Sequence, residues 1–356
     1  MKTVFLFTMA FTLSFIFTPL VRRICLRFGF LELPTLRKIH TQAMPNLGGI
    51  AVILSFIMTL IAALLLDREF TNLFSSKIIG LSLGVLFLTL LGLLDDIHGI
   101  EPLAKLSAQV IIAWGLFYFG FRIKLLTNPF SGEEMRLPIL ISMPLTIFWI
   151  VGMINALNLI DGLDGLAAGI VSIAGICLLF VGLYIATPVT VILFSILSGS
   201  ALGFLYYNFP PAKIFLGDTG SMFLGLMVAV VALVGLQYKI VTAVALLIPI
   251  CTLAVPIYDT ILAIRRRLLK KGSIFIADKK HLHHYFLESG LTQRQVVIAF
   301  YLATLYFGMI AFLFLIIPNQ YALLLLFLLG AGLFFGIKTP IFIKGAIRRK
   351  NRGNTS

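Results

Sequence analysis

Long apolar runs separated by short polar segments make up most of the chain. The runs are about 18–22 residues long, the length at which an α-helix crosses the hydrocarbon core of a bilayer. The pattern predicts an all-α fold, a polytopic transmembrane helical bundle of about 11 spans. The candidate spans are residues 3–21, 47–66, 77–94, 103–121, 138–154, 165–183, 188–207, 220–236, 239–258, 296–317 and 320–337.

Composition supports a membrane protein and argues against a soluble one. Hydrophobic residues make up 60% of the 356 residues, charged residues only 12%, and the mean hydropathy is +1.06. A soluble chain of this length would need far more charge on its surface. Since no internal repeat is visible, we expect a single integral membrane catalytic domain over residues 1–356, with a cytoplasmic loop at 259–295 and a basic cytoplasmic tail at 338–356.

The distribution of basic residues predicts the orientation of the chain. If the N-terminus lies outside, alternation of the loops places 20 of the 28 lysines and arginines on the inside. Basic residues accumulate on the cytoplasmic side of membrane proteins, so we expect the N-terminus outside and the C-terminus inside. Arg22 and Arg23 follow the first apolar run without a small-residue cleavage site, which indicates an uncleaved first span.

Acidic residues also gather on the inside, which the positive-inside rule does not predict. Ten of the 14 acidic residues and all five histidines fall at predicted inside positions. The net charge of +14 fits anionic lipid first and an anionic substrate second. No nucleic-acid partner is expected, because the basic residues are spread over short loops between spans.

Two adjacent carboxylates, Asp95 and Asp96, end the third predicted span. They lie at the C-terminus of a helix, where the macrodipole is already negative and each carboxylate costs about 0.3–1 kcal/mol. We therefore expect a positive group beside them, either a divalent cation or a lysine such as Lys105. The alternative is a solvated turn at which the helix stops at Gly99.

Four polar residues recur at every third position between the fifth and sixth predicted spans, namely Asn155, Asn158, Asp161 and Asp164. Consecutive members are neighbours on a helix, although Asn155 and Asp164 drift to opposite faces. Amide and carboxylate oxygens at this density suit Mg²⁺, which prefers hard oxygen ligands. A capped turn between two helices is the alternative, but it accounts for one aspartate and not for all four residues.

A glycine-rich turn, Gly217-Asp218-Thr219-Gly220-Ser221, opens the eighth predicted span. Asp218 or Thr219 is predicted to be the N-cap, and the free N–H groups of the first turn favour an anion. Lys213 adds a positive charge just before the turn. An ordinary helix cap is the alternative, but the surplus of glycine and hydroxyl residues favours a backbone that approaches a ligand closely.

Histidines and lysines gather in two further inside segments. His281, His283 and His284 follow a lysine pair in the loop 259–295. Adjacent histidines without a cysteine specify a tetrahedral zinc site poorly, whereas their basic surroundings favour phosphate. Lys38, before the second predicted span, is a weaker candidate for the same role. Binding of anionic headgroups at the membrane surface is the alternative for the loop.

Together these motifs resemble the polyprenyl-phosphate N-acetylhexosamine-1-phosphate transferases, glycosyltransferase family 4. The resemblance rests on the Asp-Asp pair, the Asn-x-x-Asn-x-x-Asp-Gly-x-x-Gly-Leu run, the Gly-Asp-Thr-Gly-Ser turn and the His-x-His-His loop, in family order over nearly the whole chain. The sequence looks closer to the branch that uses UDP-N-acetylglucosamine. The phospho-N-acetylmuramoyl-pentapeptide transferases are similar but usually show three consecutive histidines, a run that Leu282 splits here.

The resemblance implies a role for each matching position. Asp218 would coordinate Mg²⁺ with Asn158 as a second ligand, and Mn²⁺ is the alternative ion. Asp95 and Asp96 would hold or activate the lipid phosphate, and Asp161 and Asp164 would line the nucleotide site. The remaining positions would contact the substrates: Phe215 against uracil, Lys105, His283 and His284 towards phosphates, and Asn155, His281 and Lys38 as further contacts.

The resemblance thus implies transfer of a sugar 1-phosphate, with N-acetylglucosamine 1-phosphate as the leading choice, from a UDP-sugar to undecaprenyl phosphate. UMP would leave at the cytoplasmic face of the plasma membrane, as the first step towards a cell-envelope polysaccharide such as lipopolysaccharide or teichoic acid. The partners would be the two substrates and the lipid bilayer, with a homodimer left open. The alternatives are a phospho-N-acetylmuramoyl-pentapeptide transferase, a transporter and a non-catalytic scaffold. Transporters tend to place polar groups near the bilayer midplane, whereas these motifs lie at one face.

Overall fold

The computed structural model describes residues 1–32, 43–127, 134–235, 252–269 and 282–317, together with 250, 328 and 330–332. Most of these residues are helical. Two short antiparallel strand pairs lie in the connections between helices. The helices are α1 (Lys2–Phe28), α2 (Gly49–Leu66), α3 (Arg68–His98), α4 (Pro102–Tyr118), α5 (Ile139–Ile160), α6 (Leu166–Tyr184), α7 (Pro188–Asn208), α8 (Gly217–Gly235), α9 (Ala254–Leu269), α10 (Leu282–Glu288) and α11 (Gln293–Ile316). The strands are β1 (Leu31–Glu32) with β2 (Met44–Pro45) and β3 (Leu125–Thr127) with β4 (Glu134–Arg136).

The helices confirm a polytopic helical membrane protein. Within the described residues, 8 helices are long and apolar enough to cross a membrane: α1, α2, the part Lys77–His98 of α3, α5, α6, α7, α8 and the part Gln293–Leu313 of α11. The apolar helix α4 is shorter, at 17 residues, and coincides with the fourth predicted span. Most of the predicted spans 320–337 and 239–258 lies outside the described residues. The total of about 11 spans therefore stays a prediction.

The first helix is fixed by close backbone packing against α7. A Cβ added at Gly199 would lie 2.4 Å from the Phe7 carbonyl oxygen, and one at Gly203 would lie 2.3 Å from the Phe11 carbonyl oxygen. Lipid provides no hydrophobic force between helices, so small residues that allow such contact are a common means of association in membranes. This interface sets the end of α1 beside the segment that follows α7.

Helix α8 is the centre of the bundle. Its residues from Thr219 to Gly235 are all buried, and it packs against α2, α3, α5, α6 and α7. The backbone just before α8 also pairs with the start of α2: Gly48 N donates to Phe215 O at 2.9 Å, and Gly49 N donates to Leu216 O at 2.8 Å. The N-terminal end of α8 is therefore held from several sides.

The polar motifs of the sequence lie at one end of this bundle. The C-terminal ends of α1, α3, α5 and α7 meet there with the N-terminal ends of α2 and α8, and all of them contribute to or adjoin one cavity. This is the arrangement that alternation of the spans predicts. The assignment of that end to the cytoplasm stays a prediction from the basic residues.

Gly203→Ala should lower the free energy of unfolding by about 1–3 kcal/mol, because an added methyl group overpacks the contact with α1. Gly115 in α4 is the matched control, since nothing lies within 4 Å of a Cβ added there. Gly115→Ala should leave stability unchanged or raise it slightly, because alanine favours helix over glycine. Unfolding of the purified protein in detergent measures both, and equal effects would contradict the close α1–α7 contact.

Candidate active site

A cavity of about 800 Å³ opens at the polar end of the bundle. This volume lies within the range of about 300–1,000 Å³ that is common for small-molecule sites. The segments 28–32 and 46–47 are among the residues that line the cavity. The sequence-predicted residues that line it are Asp95, Asp96, Asp161, Asp164, Asp218, Phe215 and His284. The fold thus brings together five carboxylates that are up to 123 positions apart in the chain.

The ammonium group of Lys105 lies between two of these carboxylates. Its Nζ is 2.5 Å from Asp95 Oδ2 and 2.9 Å from Asp218 Oδ2. It also donates to Asn158 Oδ1 at 3.4 Å. The side chains of Lys105 and Asp95 are only 14% and 9% exposed, so water screens their attraction weakly. The positive group that the sequence predicted beside the Asp95-Asp96 pair is therefore Lys105.

Asp96 faces the other way and caps the first turn of α8. Its Oδ1 accepts from Asp218 N at 2.7 Å, and its Oδ2 accepts from Thr219 N at 3.0 Å and from Thr219 Oγ1 at 2.6 Å. Asn46 Nδ2 donates to the same carboxylate at 3.3 Å. The free N–H groups at a helix N-terminus favour an anion, and the end of α3 supplies that anion here.

This geometry corrects the prediction that Asp218 or Thr219 is the N-cap of the eighth span. Helix α8 begins at Gly217, and Asp218 lies within its first turn. The physical reason is that the carboxylate of Asp96, from a different helix, already satisfies the N–H groups of Asp218 and Thr219. The side chain of Asp218 is thereby released from capping and turns towards Lys105 and Asn158.

Asn158 and Asp218 are held as a pair. Asn158 Nδ2 donates to Asp218 Oδ1 at 2.6 Å and to Ser221 Oγ at 2.9 Å. These bonds leave Asn158 Oδ1 and Asp218 Oδ2 facing the same ammonium group. Among the residues that the structure describes, no three histidine, cysteine, aspartate or glutamate side chains are grouped to hold a metal ion. A cation here would therefore depend on carboxylate and amide oxygens together.

Asp161 follows the last residue of α5 and adds a further carboxyl group to the cavity. Burial raises its pKa well above the usual value, and the nearby carboxylates of Asp218, Asp96 and Asp164 raise it further. A bound cation would lower that pKa, because an opposite charge favours the ionised form of a carboxyl group. The cavity thus holds more acidic groups than Lys105 alone can neutralise.

Asp164 joins the loop after α5 to the segment after α7. Its Oδ2 accepts from Ala212 N at 3.0 Å. Asn208 makes a second connection, because its Oδ1 accepts from Gly165 N at 2.9 Å and its Nδ2 donates to Ile214 O at 2.9 Å. Both side chains are buried and line the cavity. Asp164 therefore also fixes the two loops relative to each other.

Several predicted site residues lie elsewhere or outside the described part of the chain. Asn155 does not line the cavity; its Nδ2 donates to Gln109 Oε1 at 2.6 Å and to Val151 O at 2.8 Å, between α4 and α5. Lys38 and His281 lie outside the described residues. For His283 only the backbone, within α10, is described.

Sequence reasoning missed three residues that the geometry makes important, Asn46, Thr219 and Asn208. Thr219 stood inside the glycine-rich turn and Asn46 just before the second predicted span, but neither was chosen, because nothing in the sequence revealed that Asp96 would be their acceptor. Asn208 precedes Phe209-Pro210-Pro211 at the end of an apolar span. An amide at that depth is an available signal, since a polar group at a span end needs a partner.

Comparison with known proteins identifies the family. The family model described as Glycosyl transferase family 4 matches residues 78–236, which include the carboxylates from Asp95 to Asp218. A probable undecaprenyl-phosphate N-acetylglucosaminyl 1-phosphate transferase of Bacillus subtilis is 39% identical over 83% of this chain and 80% of its own length. The chain belongs to glycosyl transferase family 4 and is a membrane-embedded transferase.

Two further relatives have different names and lower identities to this chain. A decaprenyl-phosphate N-acetylglucosaminephosphotransferase of Mycolicibacterium smegmatis is 34% identical over 84% of this chain and 78% of its own length. A phospho-N-acetylmuramoyl-pentapeptide-transferase of Halalkalibacterium halodurans is 32% identical over 86% of this chain and 94% of its own length. The relatives named for N-acetylglucosamine are therefore the more similar of these, in agreement with the histidine run that Leu282 interrupts.

Thr219→Val should lower the free energy of unfolding by about 1.5–3 kcal/mol, because it removes a hydrogen bond to the partly buried, charged carboxylate of Asp96. Thr219→Ser keeps the hydroxyl group and should cost only about 0.8 kcal/mol for the lost methyl group. Unfolding in detergent compares the two variants. Equal losses would show that the hydroxyl group contributes nothing and would contradict the capping role of Asp96.

Proposed function

We propose that this transferase moves N-acetylglucosamine 1-phosphate from UDP-N-acetylglucosamine to undecaprenyl phosphate and releases UMP. The observation that carries the proposal is the convergence of Asp95, Asn158 and Asp218 oxygens on one cationic group. The names of the relatives from Bacillus subtilis and Mycolicibacterium smegmatis support the sugar and the polyprenyl-phosphate acceptor. The basic residues at the inside ends of the spans support a reaction at the cytoplasmic face of the plasma membrane.

The residues fit Mg²⁺ as the metal that such a reaction needs. Mg²⁺ is usually bound by one or two carboxylates and by substrate phosphates, and it keeps several waters. Asp218 and Asn158 would hold the ion, because both already direct an oxygen towards the same positive charge. When bound, the metal would screen the repulsion between the two phosphate substrates and stabilise the charge of the transition state.

The proposed reaction exchanges one pyrophosphate for another. An oxygen of undecaprenyl phosphate forms a bond to the β-phosphorus of the UDP-sugar, and the bond between that phosphorus and the oxygen of UMP breaks. UMP carries away the electron pair of the broken bond. One diphosphate linkage replaces another, so the equilibrium lies near balance, and the barrier comes mainly from bringing two anions together.

The side chains in the cavity act on this reaction by position and charge. Lys105 pairs with both Asp95 and Asp218, and its ammonium would orient the attacking phosphate or the diphosphate. Phe215 and Asp161 line the same cavity, where Phe215 would lie against the uracil and Asp161 would face the nucleotide. His284 is on the cavity wall and would contact a phosphate, whereas Asp96 would act through the backbone of α8.

Purified protein with Mg²⁺, undecaprenyl phosphate and UDP-N-acetylglucosamine should release UMP and form the lipid-linked sugar diphosphate. UDP-N-acetylmuramoyl-pentapeptide in the same assay tests the alternative substrate of the phospho-N-acetylmuramoyl-pentapeptide transferases. Full chelation of divalent ions should abolish the reaction, because the carboxylates would then repel the phosphates. Turnover only of the pentapeptide substrate, or unchanged turnover under chelation, would contradict the proposal.

Asp95→Asn should slow turnover at every pH, by about 100-fold, because Lys105 loses one of its two anionic partners and moves from its position. A strong base is not required, since the second pKa of a phosphate monoester is about 6. The pH dependence of the rate measures this for the variant and for the unmutated protein. Recovery of the full rate at high pH would instead identify Asp95 as a general base.

A further inference from the structure

Helix α11 lies outside every sequence motif, yet it holds one of the two loops that form the cavity. Tyr301 in α11 donates its hydroxyl hydrogen to the carbonyl oxygen of Gly165 at 2.5 Å. Gly165 directly follows Asp164 and has a positive φ of 73°, a conformation that glycine adopts readily and other residues rarely. The contact therefore acts on the turn that Gly165 makes between Asp164 and α6.

Gly165 is bound on both sides by side chains from different helices. Its N–H group donates to Asn208 of α7, and its carbonyl group accepts from Tyr301 of α11. The ring of Tyr301 also lies directly over Gly169, where an added Cβ would be 2.0 Å from Cζ. The position of the loop that carries Asp161 and Asp164 is thus set by α7 and α11 together.

The same helix reaches the second loop of the cavity. Arg294 in α11 donates from Nε to Pro210 O at 2.8 Å. Pro210 lies in the segment 209–216, which connects α7 to α8 and includes Phe215 on the cavity wall. Arg294 and Tyr301 are seven residues apart, which places them on the same face of the helix. One helix face therefore contacts both the Asp161–Gly165 loop and the 209–216 segment.

We propose that Tyr301, assisted by Arg294, is a positioning residue for the sugar nucleotide. It would set the distance between the Asp161–Asp164 side and the Phe215 side of the cavity, and with it the affinity for the UDP-sugar. This inference rests on the proposed function, because it takes the UDP-sugar as the ligand between those two sides. The carboxylate cluster at Lys105 is held by α3, α4, α5 and α8, so undecaprenyl phosphate binding does not depend on Tyr301.

Tyr301→Phe tests the proposal, because it removes one hydroxyl group and keeps the ring over Gly169. Loss of a hydrogen bond of ordinary strength corresponds to about a fivefold change in an equilibrium constant. We expect both the KM and the directly titrated Kd for UDP-N-acetylglucosamine to rise about fivefold. The KM for undecaprenyl phosphate and kcat should change less than about twofold. Arg294→Gln should shift the same two constants in the same direction.

The matched control is Tyr306→Phe on the same helix. Tyr306 also donates its hydroxyl hydrogen to a backbone carbonyl, that of Leu328 at 2.9 Å, but Leu328 lies outside the loops that line the cavity. This variant should keep both constants for UDP-N-acetylglucosamine. If Tyr301 were merely structural, Tyr301→Phe would behave like Tyr306→Phe. Both variants would then lower the unfolding temperature and the active fraction, and both would keep the two constants for UDP-N-acetylglucosamine.

Three outcomes would overturn the inference. They are unchanged UDP-N-acetylglucosamine constants in Tyr301→Phe, an equal rise in Tyr306→Phe, and an equal rise in the KM for both substrates. Failure of the proposed function has a different signature, because the unmutated protein would then neither bind UDP-N-acetylglucosamine nor release UMP. Normal binding and turnover by the unmutated protein, with no change in Tyr301→Phe, would overturn the role of Tyr301 alone.

Discussion

The structure depends on the contact between the Asp96 carboxylate and the first turn of α8. An aspartate at the C-terminus of one helix is unfavourable by itself, and so are unsatisfied N–H groups at the N-terminus of another. Placed against each other, the two ends satisfy both requirements. This pairing fixes α3 relative to α8 and thereby brings Asp95 and Asp218 to the same ammonium group.

Among the described residues at the cavity, acidic groups are in excess of the ammonium group of Lys105. Lys105 neutralises part of the charge, while burial and three neighbouring carboxylates raise the pKa of Asp161. Such an arrangement favours a divalent cation and, through that cation, phosphate groups. The same excess would repel phosphates if no cation were bound, which accounts for the proposed dependence of activity on Mg²⁺.

Much of this architecture was predictable from the sequence, and the reasons are specific. Helical spans follow from apolar length alone, and the macrodipole argument predicted a positive group beside Asp95, with Lys105 as one of two options. The N-cap of α8 was predicted wrongly, because capping by Asp96 is a contact between residues 122 and 123 positions apart. Asn155 was grouped with Asn158 by its spacing, but Asn155 bonds to Gln109 of α4, whereas Asn158 bonds to Asp218 of α8. Tyr301 had no sequence signal, since its partner is a backbone carbonyl group.

The backbone contact between the starts of α2 and α8 has a consequence for how the enzyme can diverge. A Cβ on Gly49 would lie 2.3 Å from Gly220 Cα, so neither position accepts a larger residue without moving both helices. We therefore expect little substitution at these two positions, which lie two residues after the cavity-lining residues Leu47 and Asp218, respectively. Differences in the choice of sugar among relatives are instead expected in the segment 28–32 and around His284, which line the cavity outside helices α2 and α8.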